Sequence, residues 1–397
     1  MSDTKNLFTK QQESAKQEAE KKRGDAANLH ANVTRHQRES DHFGFNDCED
    51  DLLNTKNEGK AKKKSKRGSF QLFDADKLDQ VIQDPIPHKL KDVHNKILQH
   101  SGYVEPRALP AKFERIMDDM EALYPHFNEV NEYLRQRLRL YSLQKKPVLH
   151  FGSNVLLDGP AGVGKSSYLF ELSQKFDTLF YSLDCARATN GFDLTGMSAK
   201  WNGGDYGRLH ELLFNLECPN PMIMLDEVDK SETDNNHPIT KVLYGLLEQN
   251  NARFFKDEFV KVPMDASLVN WFGTCNDVDR LDAPLRDRFE VLSVRAPTTD
   301  DLQTIIPNLY KNIVSSHQLD DVFAKDLNSH VVEQLAMSDG ISLRRINAAL
   351  ETALSNAAHR RKSKSKSVRR IRLQADDIPM IKAEQGSESH PIGFIWG

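Results

Sequence analysis

The chain has 397 residues and a formal net charge of −4, which allows two or three domains and argues against a protein dedicated to coating nucleic acid. Its four cysteines show no paired C-x-x-C spacing, so we expect free thiols in a reducing compartment: Cys48, Cys185, Cys218 and Cys275. The start of the chain is polar, and no run approaches the roughly 18 apolar residues of a membrane span. These features predict a soluble, cytoplasmic protein without a membrane partner.

Residues 1–69 are dense in Lys, Glu, Asp, Asn and Gln and nearly empty of aromatic and β-branched residues. Such a segment cannot bury enough apolar surface to offset its chain entropy, and we expect a disordered charged tail. The basic run over residues 60–67 is interpreted either as a contact for nucleic acid or an acidic partner, or as a solvated linker.

Apolar residues return at helical spacing over residues 70–145, where prolines divide the segment into short pieces. The periodic positions are Phe113, Ile116, Met117, Met120, Leu123, Val130, Tyr133, Leu134 and Leu138. This pattern predicts a helical neck that leads into the next domain.

A glycine-rich loop follows the apolar run Asn154–Asp158 and matches the pattern G-x-x-x-x-G-K-[ST]. Its glycines let successive backbone N–H groups point inward at phosphate oxygens, and a helix that starts near Lys165 adds its positive end. We expect Lys165 to reach the β/γ-phosphates and Ser166 to hold Mg²⁺. The predicted nucleotide-binding residues are Gly159, Pro160, Ala161, Gly162, Val163, Gly164, Lys165, Ser166 and Ser167.

A second apolar strand, Met222–Asp226, ends in the pair Asp226–Glu227 about sixty residues later. Such a pair completes a site that hydrolyses nucleotides. Asp226 is predicted to hold Mg²⁺, directly or through water, and Glu227 to act as the general base for the attacking water.

Apolar strands and helical stretches alternate over residues 146–296, which predicts an α/β fold with a mostly parallel sheet covered by helices on both faces. The predicted strands are Asn154–Asp158, Thr178–Asp184, Met222–Asp226, Leu268–Thr274 and Glu290–Val294. Residues 297–382 read as a small helical lid, with helices Thr299–Ser315, His330–Met337 and Leu343–Arg361 and one further strand, Arg370–Leu373. Residues 383–397 are expected to form a C-terminal tail.

Several motifs in this order resemble the AAA+ ATPases, and among them the ATPase module of Lon-type proteases. They are Asp-Glu-Val-Asp-Lys at 226–230, Gly-Thr-Cys-Asn at 273–276 and Leu-Asp-Ala-Pro-Leu-Arg-Asp-Arg-Phe-Glu-Val-Leu at 281–292. The resemblance covers about residues 115–381, and it implies an ATPase that uses ATP and Mg²⁺ and assembles into a ring, with a hexamer expected.

The resemblance also implies roles for single residues. Asn276 matches the sensor-1 asparagine, which helps to orient the attacking water. Arg288 matches the arginine finger that enters a neighbouring subunit's site, with Arg286 as the alternative. Arg344 matches the sensor-2 arginine of the lid, and Arg345 takes its place if the register is off by one.

Trp201 falls on the aromatic position of the first pore loop when residues 196–209 are aligned with Lon-type sequences. A large flat side chain on a glycine-flexed loop can grip an extended polypeptide without reading its sequence. The alternative is a tryptophan that folds onto its own domain. The polar stretch 231–237 is expected to be a second pore loop, and residues 252–263 a hairpin.

Lon-type enzymes carry a serine–lysine protease domain after the lid, whereas here about fifteen residues follow it. We therefore expect a motor that remodels or unfolds a polypeptide client, without a protease of its own. The apolar end Pro-Ile-Gly-Phe-Ile-Trp-Gly, residues 391–397, either packs onto the chain's own lid or a neighbouring subunit, or docks a partner such as a peptidase.

Two other functions remain open from the residues. Basic runs at 60–67 and 360–370 suit a DNA-directed AAA+ ATPase, of the helicase loader or transposition regulator type. The second open function is a nucleotide-gated scaffold of a multi-protein system. The pore aromatic favours the motor, and the lack of a helix-turn-helix or zinc module disfavours the DNA-directed protein.

Overall fold

A computed structural model of the chain describes residues 69–75, 78, 88–188, 191–231, 239–337, 342–362 and 370–380. By its internal contacts the chain divides into two units, residues 1–62 and 63–397, and every described residue belongs to the second. The predicted disordered tail (except Ser69), the basic run at 60–67, residues 232–237 of the second loop and the tail 383–397 lie outside the described residues.

The described strands are β1 (Phe70–Gln71), β2 (Tyr103–Val104), β3 (Val155–Asp158), β4 (Phe180–Asp184), β5 (Met222–Asp226), β6 (Phe255–Lys256), β7 (Pro263–Met264), β8 (Asn270–Cys275) and β9 (Glu290–Ser293). The described helices are α1 (His88–Gln99), α2 (Phe113–Leu123), α3 (Asn128–Ser142), α4 (Lys165–Lys175), α5 (Phe192–Thr195), α6 (Arg208–His210, continued by a π-helical turn over Glu211–Asn215), α7 (Ile239–Leu246), α8 (Gln249–Ala252), α9 (Ala283–Arg286), α10 (Thr299–Ser316), α11 (Ser329–Ala336) and α12 (Leu343–Lys362). Within the described residues, no helix combines the length and the apolar character that crossing a bilayer demands.

Five strands form one parallel sheet in the order β4-β5-β8-β3-β9. All five were predicted from the sequence, with ends within two residues of those observed, and the α/β prediction is confirmed. Because the strands are parallel, their carboxyl ends meet at one edge, where Asp158, Asp184, Asp226 and Cys275 close β3, β4, β5 and β8. Ligands of open α/β sheets bind at this edge.

Alternate residues of β3 supply two separate hydrophobic cores, one on each face of the sheet. Val155 and Leu157 pack with α2, α3 and α4, and Leu156 packs with α7 and the β6–β7 hairpin. All three side chains are fully buried. The near-continuous apolar character of these strands follows from helices on both faces.

The segment predicted to be a helical neck has two parts. The helices α2 and α3 belong to the core that contains Val155, so they cover a face of the sheet. Residues 70–104 hold β1, α1 and β2 and pack onto the hairpin, because Asp265 donates its backbone N–H to the Leu72 carbonyl at 2.7 Å and His94 Nε2 donates to the Val260 carbonyl at 2.9 Å. The division at residues 145/146 stays a prediction.

The lid contains the three predicted helices as α10, α11 and α12, with a core of its own. α10 begins with a capping box, in which the Thr298 hydroxyl accepts from the Asp301 N–H and the Asp301 carboxylate accepts from the Thr298 N–H. The strand predicted over Arg370–Leu373 is wrong. Ile371 forms a single bridge with Phe323, because the partner backbone turns at Leu319–Phe323 and offers one residue to pair with.

Candidate functional site

The glycine-rich loop between β3 and α4 adopts the curled conformation that its sequence predicts. Gly162 has φ +76° and Gly164 has φ +96°, in the left-handed region that favours glycine. A Cβ on Gly162 would lie 2.8 Å from the Cβ of Ser342 in the lid, so the loop also needs a residue without a side chain at this close approach. The backbone N–H groups of such a loop are suited to phosphate oxygens.

Lys165 is the first residue of α4, and its side chain is 8% exposed. Its ammonium donates to the carbonyl oxygens of Gly159 at 2.6 Å and Pro160 at 3.0 Å, and to Asn276 Oδ1 at 3.1 Å. Burial lowers the pKa of Lys165, while acidic neighbours such as Asp158 act in the opposite direction. The cation is thus held at the loop by neutral oxygens.

Ser166 and Asp226 meet across the gap between α4 and β5. The Ser166 hydroxyl donates to the two Asp226 carboxylate oxygens at 3.1 and 3.2 Å. The Thr274 hydroxyl, near the end of β8, also donates to Asp226 Oδ1 and accepts the Glu227 N–H at 3.1 Å. Hydroxyl and carboxylate oxygens are the ligands that Mg²⁺ prefers, so this donor set fits the predicted ion.

Glu227 occupies an unusual backbone conformation at the end of β5, with φ +53° and ψ +49°. A non-glycine residue there costs on the order of 1 kcal/mol. Glu227 lines a cavity at the carboxyl edge of the sheet. Glu227 Oε1 accepts from Lys230 Nζ at 2.7 Å, across the single 3₁₀ turn Val228–Lys230. The predicted base therefore faces the site and has a lysine partner.

Asn276 lies just beyond β8 and is held from two sides. Its side-chain oxygen accepts from Lys165, and its backbone N–H donates to Asp229 Oδ2 at 3.2 Å. The contact links the turn after Glu227 to the residue after β8. The two motifs that supply Glu227 and Asn276 thus share one local scaffold.

A cavity of about 530 Å³ joins these residues to the lid. Its charged and polar lining includes Lys165, Ser166, Asp226, Glu227, Lys230, Thr274, Asn276 and Arg344. The lid is hydrogen-bonded to the loop, because Leu343 donates its N–H to the Gly162 carbonyl at 3.0 Å. Among the two lid candidates, Arg344 lines the cavity, whereas Arg345 is not among its lining residues.

Residues 155–295 match the ATPase family associated with various cellular activities (AAA). Over these residues the chain is similar to AAA ATPases. The resemblance to the Lon ATPase module is also confirmed: "Lon protease homolog 2, peroxisomal" of Arabidopsis thaliana is 28% identical over 250 residues, covering 62% of this chain and 27% of that protein. "Lon protease" of Chloroflexus aggregans is 31% identical over 172 residues, covering 43% of this chain and 20% of that protein.

Solved structures agree on the fold. A closed-state cryo-EM reconstruction of Hsp104 with ATPγS and FITC-casein superposes with a TM-score of 0.54 at 17% identity, covering 66% of this chain and 50% of that chain. At this identity the likeness shows the fold alone. Because the chain spans about a quarter of the length of the Lon relatives, 27% of the Arabidopsis protein, what it acts on is a matter for proposal.

Two residues that sequence reasoning did not assign to the site connect the AAA domain to α2 and α3. Tyr124 lines the cavity and packs edge-on against Tyr168, with ring centroids 5.3 Å apart. His126 is fully buried, and its Nε2 donates to the carbonyl of Val163 in the glycine-rich loop at 2.9 Å. The one sequence feature that could have indicated these two residues is the cluster of aromatic side chains at 124–127, between two helices.

Arg288 and Arg286 lie outside the cavity of the AAA domain that carries them. Arg288 donates to the carbonyl oxygens of Tyr244 at 3.0 Å and Pro284 at 2.6 Å, and its guanidinium lies 5.3 Å from the centre of the Tyr244 ring. Arg286 is exposed and pairs with Asp279 at 3.2 Å. Neither side chain lines this chain's own cavity, which is compatible with a role in a neighbour's site.

Trp201 is 70% exposed at the tip of a loop formed by residues 196–207, here called the exposed loop. The tip is a tight turn, since Trp201 donates its N–H to the Ser198 carbonyl at 3.0 Å and Gly204 donates to the Trp201 carbonyl at 3.0 Å. Gly203 has φ +90° with open space around its Cα. The side chain is thus not folded onto its own domain.

The base of the exposed loop is clamped by Asp257 of the hairpin, which is fully buried. Its carboxylate accepts from the N–H groups of Gly207 at 2.7 Å, Phe259 at 2.8 Å and Val260 at 2.9 Å. Burial raises the pKa of Asp257 to about 6. No sequence pattern marks Asp257, because all three partners are backbone N–H groups and Gly207 lies 50 positions away. Asp257 thus ties the base of the exposed loop to the hairpin, while Trp201 at the tip is exposed.

Proposed function

We propose that this chain is an ATP-hydrolysing AAA+ motor that assembles into a ring, with six subunits expected, and remodels or unfolds a polypeptide client through the central pore. The observation that carries the proposal is the cavity in which Lys165, Asp226, Glu227 and Asn276 converge from three strand ends while Arg344 enters from the lid. The AAA family match over residues 155–295 supports the ATPase part.

The described residues fit ATP with Mg²⁺. The backbone of residues 159–167 would cradle the phosphates, Lys165 would bind the β/γ-phosphates, and Ser166 with Asp226 would hold the ion. When bound, Mg²⁺ neutralises charge that develops on the phosphate oxygens. The described residues contain no cluster of three acidic, histidine or cysteine side chains suited to a metal. That agrees with an ion held by few side chains and by substrate phosphates.

Hydrolysis needs a base and an oriented water. Glu227 would accept a proton from the water while the water oxygen bonds to the terminal phosphorus. The bond between that phosphorus and the leaving ADP breaks in the same step. Asn276, fixed by Asp229 and Lys165, would hold that water in line. Arg344 would add positive charge from the lid. Products are ADP and phosphate.

A change in the angle of the lid would drive the movement of the exposed loop. Leu343 and Gly162 join lid and glycine-rich loop by one backbone hydrogen bond, so a change at the phosphates can change the lid angle. In a ring, with Arg288 reaching the next subunit, such a change would move the exposed loop along the channel. Trp201 at its tip would contact the client, while Asp257 holds the base. The expectations of no protease and of a cytoplasmic location stay predictions, and so do both alternatives for the C-terminal tail, packing on the protein itself or docking of a partner.

The DNA-directed alternative gains little from the described part of the second basic run. Arg360 pairs with Asp377, with nitrogen–oxygen distances of 3.0 and 2.8 Å. Arg370 pairs with Asp321 at 3.3 Å. These arginines are paired within the lid, while residues 363–369 lie outside the described residues. The motor remains the better-supported function.

Lys165→Ala should remove nucleotide binding, a weakening of at least roughly 100-fold, because the phosphates lose a charged hydrogen-bond donor. The measurement is a titration with a fluorescent ATP analogue, alongside a thermal melt to confirm folding. Lys175→Ala is the matched control: Lys175 ends the same helix and pairs at 3.8 Å with Asp119 and with Glu171. Unchanged affinity in Lys165→Ala would refute the assignment.

Trp201→Ala tests the motor itself. We expect ATP affinity to stay within about twofold, since Trp201 does not line the cavity, while ATP-driven unfolding of a fluorescent client falls by at least tenfold. Phe254→Ala is the matched control, since Phe254 is 72% exposed but lies outside the exposed loop. An equal loss in both variants, or lost ATP binding in Trp201→Ala, would count against a channel role.

A further inference from the structure

Lys230 lines the 530 Å³ cavity and forms two hydrogen bonds with Glu227. Its Nζ donates to Glu227 Oε1 at 2.7 Å, and its backbone N–H donates to the Glu227 carbonyl at 2.9 Å. Both side chains line the cavity, and they are 44% and 40% exposed. Sequence reasoning gave Lys230 no role beyond its place in the motif.

The charges of the cavity single out this contact. Among the described lining residues, the cations are Lys165, Lys230 and Arg344 and the anions are Glu171, Asp226 and Glu227. Glu171 faces Lys175 at 3.8 Å, and Asp226 accepts from the hydroxyls of Ser166 and Thr274. One oxygen of Glu227, the group proposed as the base, is therefore engaged by a cation that itself belongs to the cavity.

We propose that Lys230 reads the third phosphate of the nucleotide: it pairs with Glu227 when no triphosphate is bound and moves to the terminal phosphate when ATP binds. The inference rests on the proposed ATPase function and adds a nucleotide-binding residue to it. A diphosphate leaves Lys230 on Glu227, so the base is released only when there is a bond to hydrolyse.

The physical basis is an exchange of one anion for another. A half-exposed lysine–carboxylate pair is weak and is easily replaced. A terminal phosphate offers more negative charge and three acceptor oxygens, and the lysine brings three donors on a flexible stem. The 3₁₀ turn keeps the Lys230 backbone fixed to Glu227, so only the side chain needs to move.

Calorimetric binding with Mg²⁺ separates the two nucleotides. Lys230→Met should weaken the non-hydrolysable analogue AMP-PNP about tenfold and ADP less than twofold, because only the triphosphate loses a charged hydrogen bond. Lys230→Arg should restore most of the difference. Lys261→Met is the matched control, since Lys261 pairs with Glu258 three residues before it, yet does not line the cavity.

The same substitution in Glu227→Gln protein tests whether Lys230 binds the phosphate or only pairs with the proposed base. In Glu227→Gln protein, Lys230→Met should still weaken AMP-PNP about tenfold, since the phosphate contact does not need the carboxylate. Equal weakening of ADP and AMP-PNP, no weakening, or an effect confined to protein with Glu227 would overturn the proposal. If Lys165→Ala removes binding while Lys230→Met changes nothing, this inference fails and the ATPase proposal stands.

Discussion

Glu227→Gln should lower kcat for ATP hydrolysis by about 10²- to 10⁴-fold while ATP still binds. Glutamine keeps the shape of the side chain and can still accept from Lys230, but its amide cannot take a proton from water. Because glutamine branches like glutamate, we expect the variant to keep the backbone conformation of Glu227, φ +53°. Phosphate release at saturating ATP measures the rate, and a titration with ATP measures the affinity.

Glu258→Gln is the control for this change. Glu258 also accepts from a lysine three residues later, Lys261, but it is exposed on the hairpin and does not line the cavity. We expect its kcat to equal that of the unmodified protein. Turnover of Glu227→Gln at the unmodified rate would show that another group is the base.

Local signals predicted the nucleotide end of the site. The spacing of Gly162, Gly164, Lys165 and Ser166 encodes backbone curvature, a cation and a hydroxyl within eight residues, and the structure has each of them. The strands of the sheet could also be predicted from local signals. Strands buried on both faces, such as Met222–Asp226, are continuous apolar runs that stand out against polar loops.

Contacts between distant segments could not be predicted in the same way. Thr274 binds Asp226 from another strand, and Tyr124 reaches the cavity from a turn between helices 40 residues before Gly164. Threonine at a strand end and tyrosine near a helix end are ordinary residues in sequence. Their role appears only when strand order and helix docking place them at one edge.

Short elements were the least predictable part of the fold. β1 and β2 are two-residue strands that pair Phe70 with Val104, 34 positions further along the chain. Ile371 and Leu373 alternate with exposed arginines, as in a half-buried strand, and both belong to the lid core, but the bridge to Phe323 involves Ile371 alone. An alternation of apolar and polar residues indicates that one side of the segment is buried. How many of its residues pair as a strand depends on the backbone of the neighbouring segment.

Arg288→Ala should reduce ATPase activity by about 10³- to 10⁵-fold at any protein concentration, as expected for a lost arginine finger. ATP affinity of each subunit should change little, because Arg288 does not line its own cavity. Unmodified protein should instead gain specific activity steeply with concentration, since each site needs a neighbour. Steady-state rates between nanomolar and micromolar protein measure both effects.

Mixing variants shows whether Arg288 acts across subunits. Rings assembled from equal parts of Arg288→Ala and Glu227→Gln subunits should recover activity at about one interface in four, where an intact Glu227 meets an intact Arg288. Arg286→Ala is the control, because Arg286 is the neighbouring candidate and pairs with Asp279. Arg288→Lys and thermal melts report whether lost bonds to Tyr244 and Pro284 disturb the fold. If Arg286→Ala alone lost activity and regained it on mixing with Glu227→Gln, the finger would be Arg286. Full activity of Arg288→Ala as a monomer would contradict the ring proposal.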